Sequence, residues 1–145
     1  MGKTISNRKE RYEVDKIMQG LLLGALSPSE VPMRFVGKII SDYKLLSKRG
    51  YNNHTLGYIL AVADCDWMQL ELLSNAASRE FKAAPCGKTI AHIIAENPHS
   101  DAVRKRILND NHICTIKDEN NLSVRDSLAL YSEEHRDIAN GLIRR

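Results

Sequence analysis

One stretch of the chain recurs at a fixed interval, and no other feature limits the fold as tightly. The segment Asn53-His54-Thr55-Leu56-Gly57-Tyr58-Ile59-Leu60-Ala61 aligns with Gly87-Lys88-Thr89-Ile90-Ala91-His92-Ile93-Ile94-Ala95 at a shift of 34. The same shift again reaches Asn121-Leu122-Ser123-Val124-Arg125-Asp126-Ser127-Leu128-Ala129. Five columns agree in chemistry: Asn/Gly/Asn, Thr/Thr/Ser, Leu/Ile/Val, Leu/Ile/Leu and Ala/Ala/Ala. Asn and Gly adopt a left-handed backbone most readily, as a turn feeding a helix requires. The Thr or Ser two positions later can cap the first free N–H groups of that helix. The two aliphatic columns lie one helical turn apart on one face, and the Ala beside them lets a neighbouring helix approach. Each unit therefore begins turn, cap, short amphipathic helix, and a period of this length is the mark of stacked supersecondary units.

A second helix is expected in each unit. Its apolar set is Trp67, Met68, Leu70, Leu72 and Leu73 in the first, Asp101-Ala102-Val103 leading to Ile107-Leu108 in the second, and Asp137-Ile138-Ala139 leading to Leu142-Ile143 in the third. Asn97-Pro98 separates the two helices of the middle unit, because the residue before a proline is disfavoured from continuing a helix. Residues 1–50 read as two further helices. The first, Asn7 to Leu26, carries Tyr12, Val14, Ile17, Met18, Leu21, Leu22 and Leu23, and Gly24 and then Ser27-Pro28-Ser29 are its stop signals. Ser29 is expected to cap the second, which carries Val36, Ile39, Ile40, Tyr43, Leu45 and Leu46 and stops at Gly50.

The repeating units resemble the ankyrin repeat, whose period is about 33 and whose helix starts Thr-Pro-Leu-His-x-Ala. The middle unit, Gly87 to Ala95, keeps that family's Gly, Thr, His and second Ala; the third keeps the leading acid at Asp118, with Asn121 in place of the glycine. The first keeps Thr55 and the closing Leu72-Leu73, and Asp137 to Ile143 resembles the run that ends the family's second helix. The proline is replaced by Leu56, Ile90 and Val124, and the His column reads Tyr58, His92 and Asp126. Val103-Arg104 and Val124-Arg125 are also found in HEAT or leucine-rich-variant repeats, and a non-repeating helical bundle is the third alternative. The fold expected is an all-α short solenoid: three ankyrin-like helix-turn-helix repeats over residues 51–145, capped by two N-terminal helices over 1–50. The resemblance implies that His92 bonds back to Thr89 as a structural residue.

Chemistry-bearing motifs are sparse. Cys86-Gly87-Lys88-Thr89 echoes the end of a phosphate-binding loop, but Lys82 stands where that loop needs its first glycine. Cys65, Cys86 and Cys114 form no CxxC pair, and with five histidines they give no zinc-ligand spacing. Cys86 with His92 lacks an orienting third residue, and Glu133-Glu134 reads as a solvated helix start. Neither catalytic residues nor a metal or cofactor are expected.

Composition points the same way. The 145 residues are 43% hydrophobic and 27% charged, the balance of a globular domain. No apolar run approaches the roughly 20 residues that span a bilayer, so no membrane partner is expected. The odd cysteine count suits a reducing compartment, hence the cytoplasm. Charge is segregated: ten Lys/Arg against five Asp/Glu in residues 1–50, eleven against thirteen in 51–145.

The function expected is non-catalytic protein–protein interaction, as an adaptor, inhibitor or effector. By resemblance, the partner-binding residues lie on the turns and the exposed ends of the first helices: Tyr51, Asn52 and His54; Lys88, Glu96 and Asn97; Glu119, Asn120 and Tyr131. The alternative is a nucleic-acid-binding helical repeat using the basic leading half (Lys44, Lys48, Arg49) and Arg104, Lys105 and Arg106.

Overall fold

The computed structural model describes residues 8–83 and 87–130. Their regular structure is helical, with three isolated bridges and no strand. Helix α1, Arg8–Leu22, buries Val14, Met18 and Leu21, spaced i, i+4, i+7 on one face. That stripe is narrower than the sequence suggests, since Tyr12 is 62% and Leu23 75% exposed. Gly24 ends the helix with φ +76°. The N–H of Ala25 donates to Gly20 O at 2.9 Å and that of Gly24 to Leu21 O at 3.2 Å. This is the paired closure that a left-handed residue permits.

The link to the next helix departs from expectation. Ser27, not Ser29, is the capping serine, and it serves a single 3₁₀ turn, Pro28–Glu30. The cap is a reciprocal box in which the N–H of Ser27 donates to Glu30 Oε1 at 2.8 Å. Pro28 at the first position of that turn leaves Ser29 inside it. Helix α2, Met33–Ile40, then starts directly after Pro32 without a side-chain cap. It does not run on to Gly50. Asp42 accepts from the N–H groups of Lys44 and Leu45 and so opens a separate short helix α3, Tyr43–Leu46.

From there a unit recurs. A tight hairpin leads to a first helix, a second helix and a short third one: α4 Leu56–Ala61, α5 Asp66–Ser74 and α6 Ala76–Arg79, then α7 Ile90–Glu96, α8 Asp101–Leu108 and α9 Asn111–Cys114. A tenth helix, α10, opens at Val124 and occupies residues 124–130. The hairpins are closed by the bridges Arg49–Thr55, Lys82–Thr89 and Lys117–Ser123. Asn53, Gly87 and Asn121 have φ of 59°, 81° and 63°. They are the left-handed turn residues that the aligned columns call for. Thr55, Thr89 and Ser123 each occupy a helix start and accept from the N–H three residues on, at 3.2, 3.2 and 3.1 Å. The N–H of the first helical residue returns each time to the segment before the turn: Leu56 to Lys48 O, Ile90 to Phe81 O and Val124 to Ile116 O.

The short third helices have a matching signal. Asp42, Asn75 and Asp110 cap α3, α6 and α9, and each lies just ahead of a hairpin. So α2 and α3 stand to the first hairpin as α5 and α6 stand to the second and α8 and α9 to the third. The local pattern thus continues across residue 50. One apolar core joins everything, from Val14 on α1 to Leu128 on α10. Helix α1 packs on α4, α4 on α7, and α5 on both α7 and α8. Ala61, Ala91 and Ala95 are fully buried where these helices meet. The second helix expected over Asp137 to Ile143 lies outside the described residues, as does Tyr131.

Candidate partner-binding face

The polar bonds that hold successive hairpins together run just beneath the expected binding residues. Thr55 Oγ1 donates to Ala83 O, across to the second hairpin, at 2.8 Å. Between the second and third hairpins His92 makes the link. Its ring is fully buried, with Nδ1 2.7 Å from Thr89 Oγ1 and Nε2 2.7 Å from Leu122 O. A carbonyl only accepts, so Nε2 carries the hydrogen and the Thr89 hydroxyl donates to Nδ1. The bond back to Thr89 is the expected one; the reach to the following turn extends it. In the third unit Asp126 replaces the imidazole and accepts from Ser123 N–H at 3.2 Å. That bond closes a capping box. The Ser123 hydroxyl and N–H both hold the Asp126 carboxyl below its ordinary range.

The nine expected contact residues, apart from Tyr131, fall into three groups. In the first hairpin Tyr51 and Asn52 are exposed, and the Tyr51 ring lies against Gly24. His54 is half-buried and stacks on Tyr58 with ring centroids 4.3 Å apart. Along α7, Lys88 and Glu96 form a half-buried ion pair at 2.8 Å. Asn97 is exposed at the C-terminus of that helix. On the third hairpin Glu119 and Asn120 are exposed. Glu119 lies 3.6 Å from Lys82 of the preceding hairpin, and its side chain fills the space above Gly87. Asn120 donates its N–H to Asp118 Oδ1, as does Leu122, at 2.8 and 2.9 Å. Burial, the largest influence, raises the affinity of Asp118 for a proton, but those two N–H donors, together with the neighbouring His92 and Lys88, outweigh it and hold the carboxyl below its usual range.

The opposite ends of the helices carry a second polar link that the sequence pattern does not reveal. Gln69 is fully buried. Its Nε2 donates to Ala61 O and Asn97 O at 2.9 and 3.1 Å, and its Oε1 accepts from His99 N–H at 2.9 Å. Beside it Asp66 takes His99 Nδ1 at 2.5 Å and the Ser100 hydroxyl at 2.7 Å. His99 first and Ser100 second hold the Asp66 carboxyl below its ordinary value. Although Asp, His and Ser meet here, the hydroxyl binds the carboxylate and not the imidazole, so this geometry is not the nucleophile–base relay of hydrolases. The one sign of Gln69 in the sequence is a lone amide between Met68 and Leu70.

The basic run of α8 is internally paired. Arg104 and Lys105 reach Asp101 at 3.4 and 3.3 Å, and Arg106 reaches Asp110 at 2.9 Å. The remnant of a phosphate loop is likewise engaged: Thr89 caps α7 and Lys88 bonds Glu96. Among the described residues no group of three His, Cys, Asp or Glu side chains is placed to hold a metal. None of the described helices is long and apolar enough to cross a membrane.

No family model matches the chain, and neither the curated proteins nor the solved structures include a significant match.

Proposed function

We propose that this chain is a non-catalytic protein-interaction module, a short ankyrin-like α-solenoid that binds a protein partner through its hairpin tips and first helices. One observation carries the reading: the hairpin, with its left-handed residue, capping hydroxyl and returning N–H, is built three times over with the same bonds. Stacked units of this kind present an extended surface whose tip residues vary without disturbing the core. Cys65 and Cys114 are free and buried, which fits a cytoplasmic setting. The nucleic-acid alternative gains less support, because Arg104, Lys105 and Arg106 already have carboxylate partners on their own helix or just beyond it.

The test is affinity capture from the native cell with the wild-type chain and a triple Lys88→Ala, Glu119→Ala, Asn120→Ala variant. The variant is expected to lose the captured protein while its melting temperature falls by only a few degrees, since the half-buried Lys88–Glu96 pair and the exposed Lys82–Glu119 pair are each worth about 1 kcal/mol or less. Undiminished capture by the variant refutes the tip surface. Capture that instead falls when Arg104, Lys105 and Arg106 are substituted, and that moderate salt abolishes, favours nucleic acid.

A further inference from the structure

The three bridges share a feature that the tip residues do not. The residue on the incoming side is a cation each time, Arg49, Lys82 and Lys117, and all three are exposed. The hairpins are direct neighbours, as the Thr55–Ala83 hydrogen bond and the Lys82–Glu119 ion pair establish. Between the second and third lies a groove of about 320 Å³, lined by Lys82 and Lys117 together with Glu80, His112 and Thr115. We propose that this edge is a docking surface for an extended acidic peptide whose carboxylates recur at every third residue.

The spacing selects the peptide. Helix α4 lies against α7, so the first two units are one packed-helix width apart, about 8–10 Å, and the third hairpin is linked directly to the second by the Lys82–Glu119 pair and the His92–Leu122 bond. A polyproline II chain rises about 3.1 Å per residue with three residues per turn, so positions i, i+3 and i+6 share one face about 9 Å apart. Acidic side chains at those positions meet Arg49, Lys82 and Lys117 in turn. A β-strand cannot do this, since i and i+3 point to opposite faces. A nucleic-acid strand fits less well. Its phosphates follow one another continuously, so some would face the carboxylates of Glu80 and Glu119, whereas the peptide sets neutral residues there. The exposed His112 ring offers a hydrogen-bonding group to the peptide backbone within the same groove, and the Thr115 hydroxyl, which donates to Asn111 O or His112 O, offers an acceptor.

In the resting chain Glu119 occupies the place of one peptide carboxylate beside Lys82. The inference rests on the interaction-module reading for its class of partner, but it concerns the incoming side of the hairpins, so a direct peptide titration tests it apart from capture by the tip residues. The test is fluorescence anisotropy of the full chain with a labelled twelve-residue peptide, four repeats of Glu-Pro-Pro. The control peptide has the same composition with its four glutamates contiguous. The repeating peptide is expected to bind at low salt, more tightly than the control. A Lys82→Gln/Lys117→Gln variant should lose about tenfold in affinity, Glu119→Gln should gain severalfold, and Lys16→Gln on α1 should change nothing. Equal binding of the two peptides, no binding, or a Lys82/Lys117 loss no larger than that of Lys16 overturns the proposal. So does tighter binding of a single-stranded oligonucleotide of the same charge.

Discussion

At the scale of single residues, the buried amide of Gln69 and the buried imidazole of His92 do equivalent work at opposite ends of the helices. Each joins one unit to the next through backbone groups that a hydrocarbon side chain would leave unsatisfied. Gln69→Leu preserves the volume approximately but strips Ala61 O and Asn97 O of a donor and His99 N–H of an acceptor. A buried polar group without its partner costs about 1–3 kcal/mol, so the variant is expected to lose at least about 2 kcal/mol in urea unfolding. An unchanged midpoint would show that water replaces the amide without cost. The two linkers differ in how visible they are in sequence. His92 stands where the ankyrin resemblance has a histidine, and that resemblance implies its bond to Thr89. Gln69 stands in no column, and an amide on an apolar helix face has no periodic signature.

At the scale of elements, the turns are the legible part and the helix lengths are not. The left-handed positions and capping hydroxyls follow from residue chemistry repeated three times, which places Asn53, Gly87, Asn121, Thr55, Thr89 and Ser123 from sequence alone. The break of the expected helix at Asp42 escapes that reading because Ile39, Ile40, Leu45 and Leu46 keep an apolar rhythm across it. Hydrophobic spacing does not register a side chain that captures two backbone N–H groups. Two glycines on either side of that break give opposite predictions. Gly37 lies inside α2 with nothing within 4 Å of an added Cβ. Gly37→Ala should therefore stabilise the protein by about 0.5–1 kcal/mol. Gly50, at the mouth of the first hairpin, would place its Cβ against the carbonyl oxygen of Leu22 and 2.7 Å from Leu22 Cα. Both neighbours are backbone, so α1 and the hairpin would have to separate. Thermal unfolding of the two variants should move in opposite directions, and a stabilising Gly50→Ala would mean that the contact between α1 and the hairpin is loose.

At the scale of the whole molecule, the carboxylates that organise the turns and links also set how the fold responds to acid. Asp66, Asp110, Asp118 and Asp126 all titrate below the ordinary carboxyl value of 3.8. Their partners belong to different parts of the chain: His99 and Ser100 for Asp66, Arg106 and Ile113 N–H for Asp110, the turn N–H groups for Asp118 once burial is overcome, and Ser123 for Asp126. In the unfolded chain these contacts vanish and the carboxyls return to ordinary values, so near and below about pH 4 the unfolded state binds more protons than the folded one. Stability therefore rises with pH through that window as far as these four carboxyls are concerned. The denaturation midpoint is expected to fall continuously as pH drops from about 5 through 3.8 and below. Asp118→Asn keeps an acceptor for the Asn120 and Leu122 N–H groups but removes the titrating group, so its midpoint should fall less steeply over the same interval. A wild-type midpoint that is flat between about pH 5 and pH 3, or an Asp118→Asn profile parallel to it, would mean that the turn carboxylates are not favoured in their charged form by the fold.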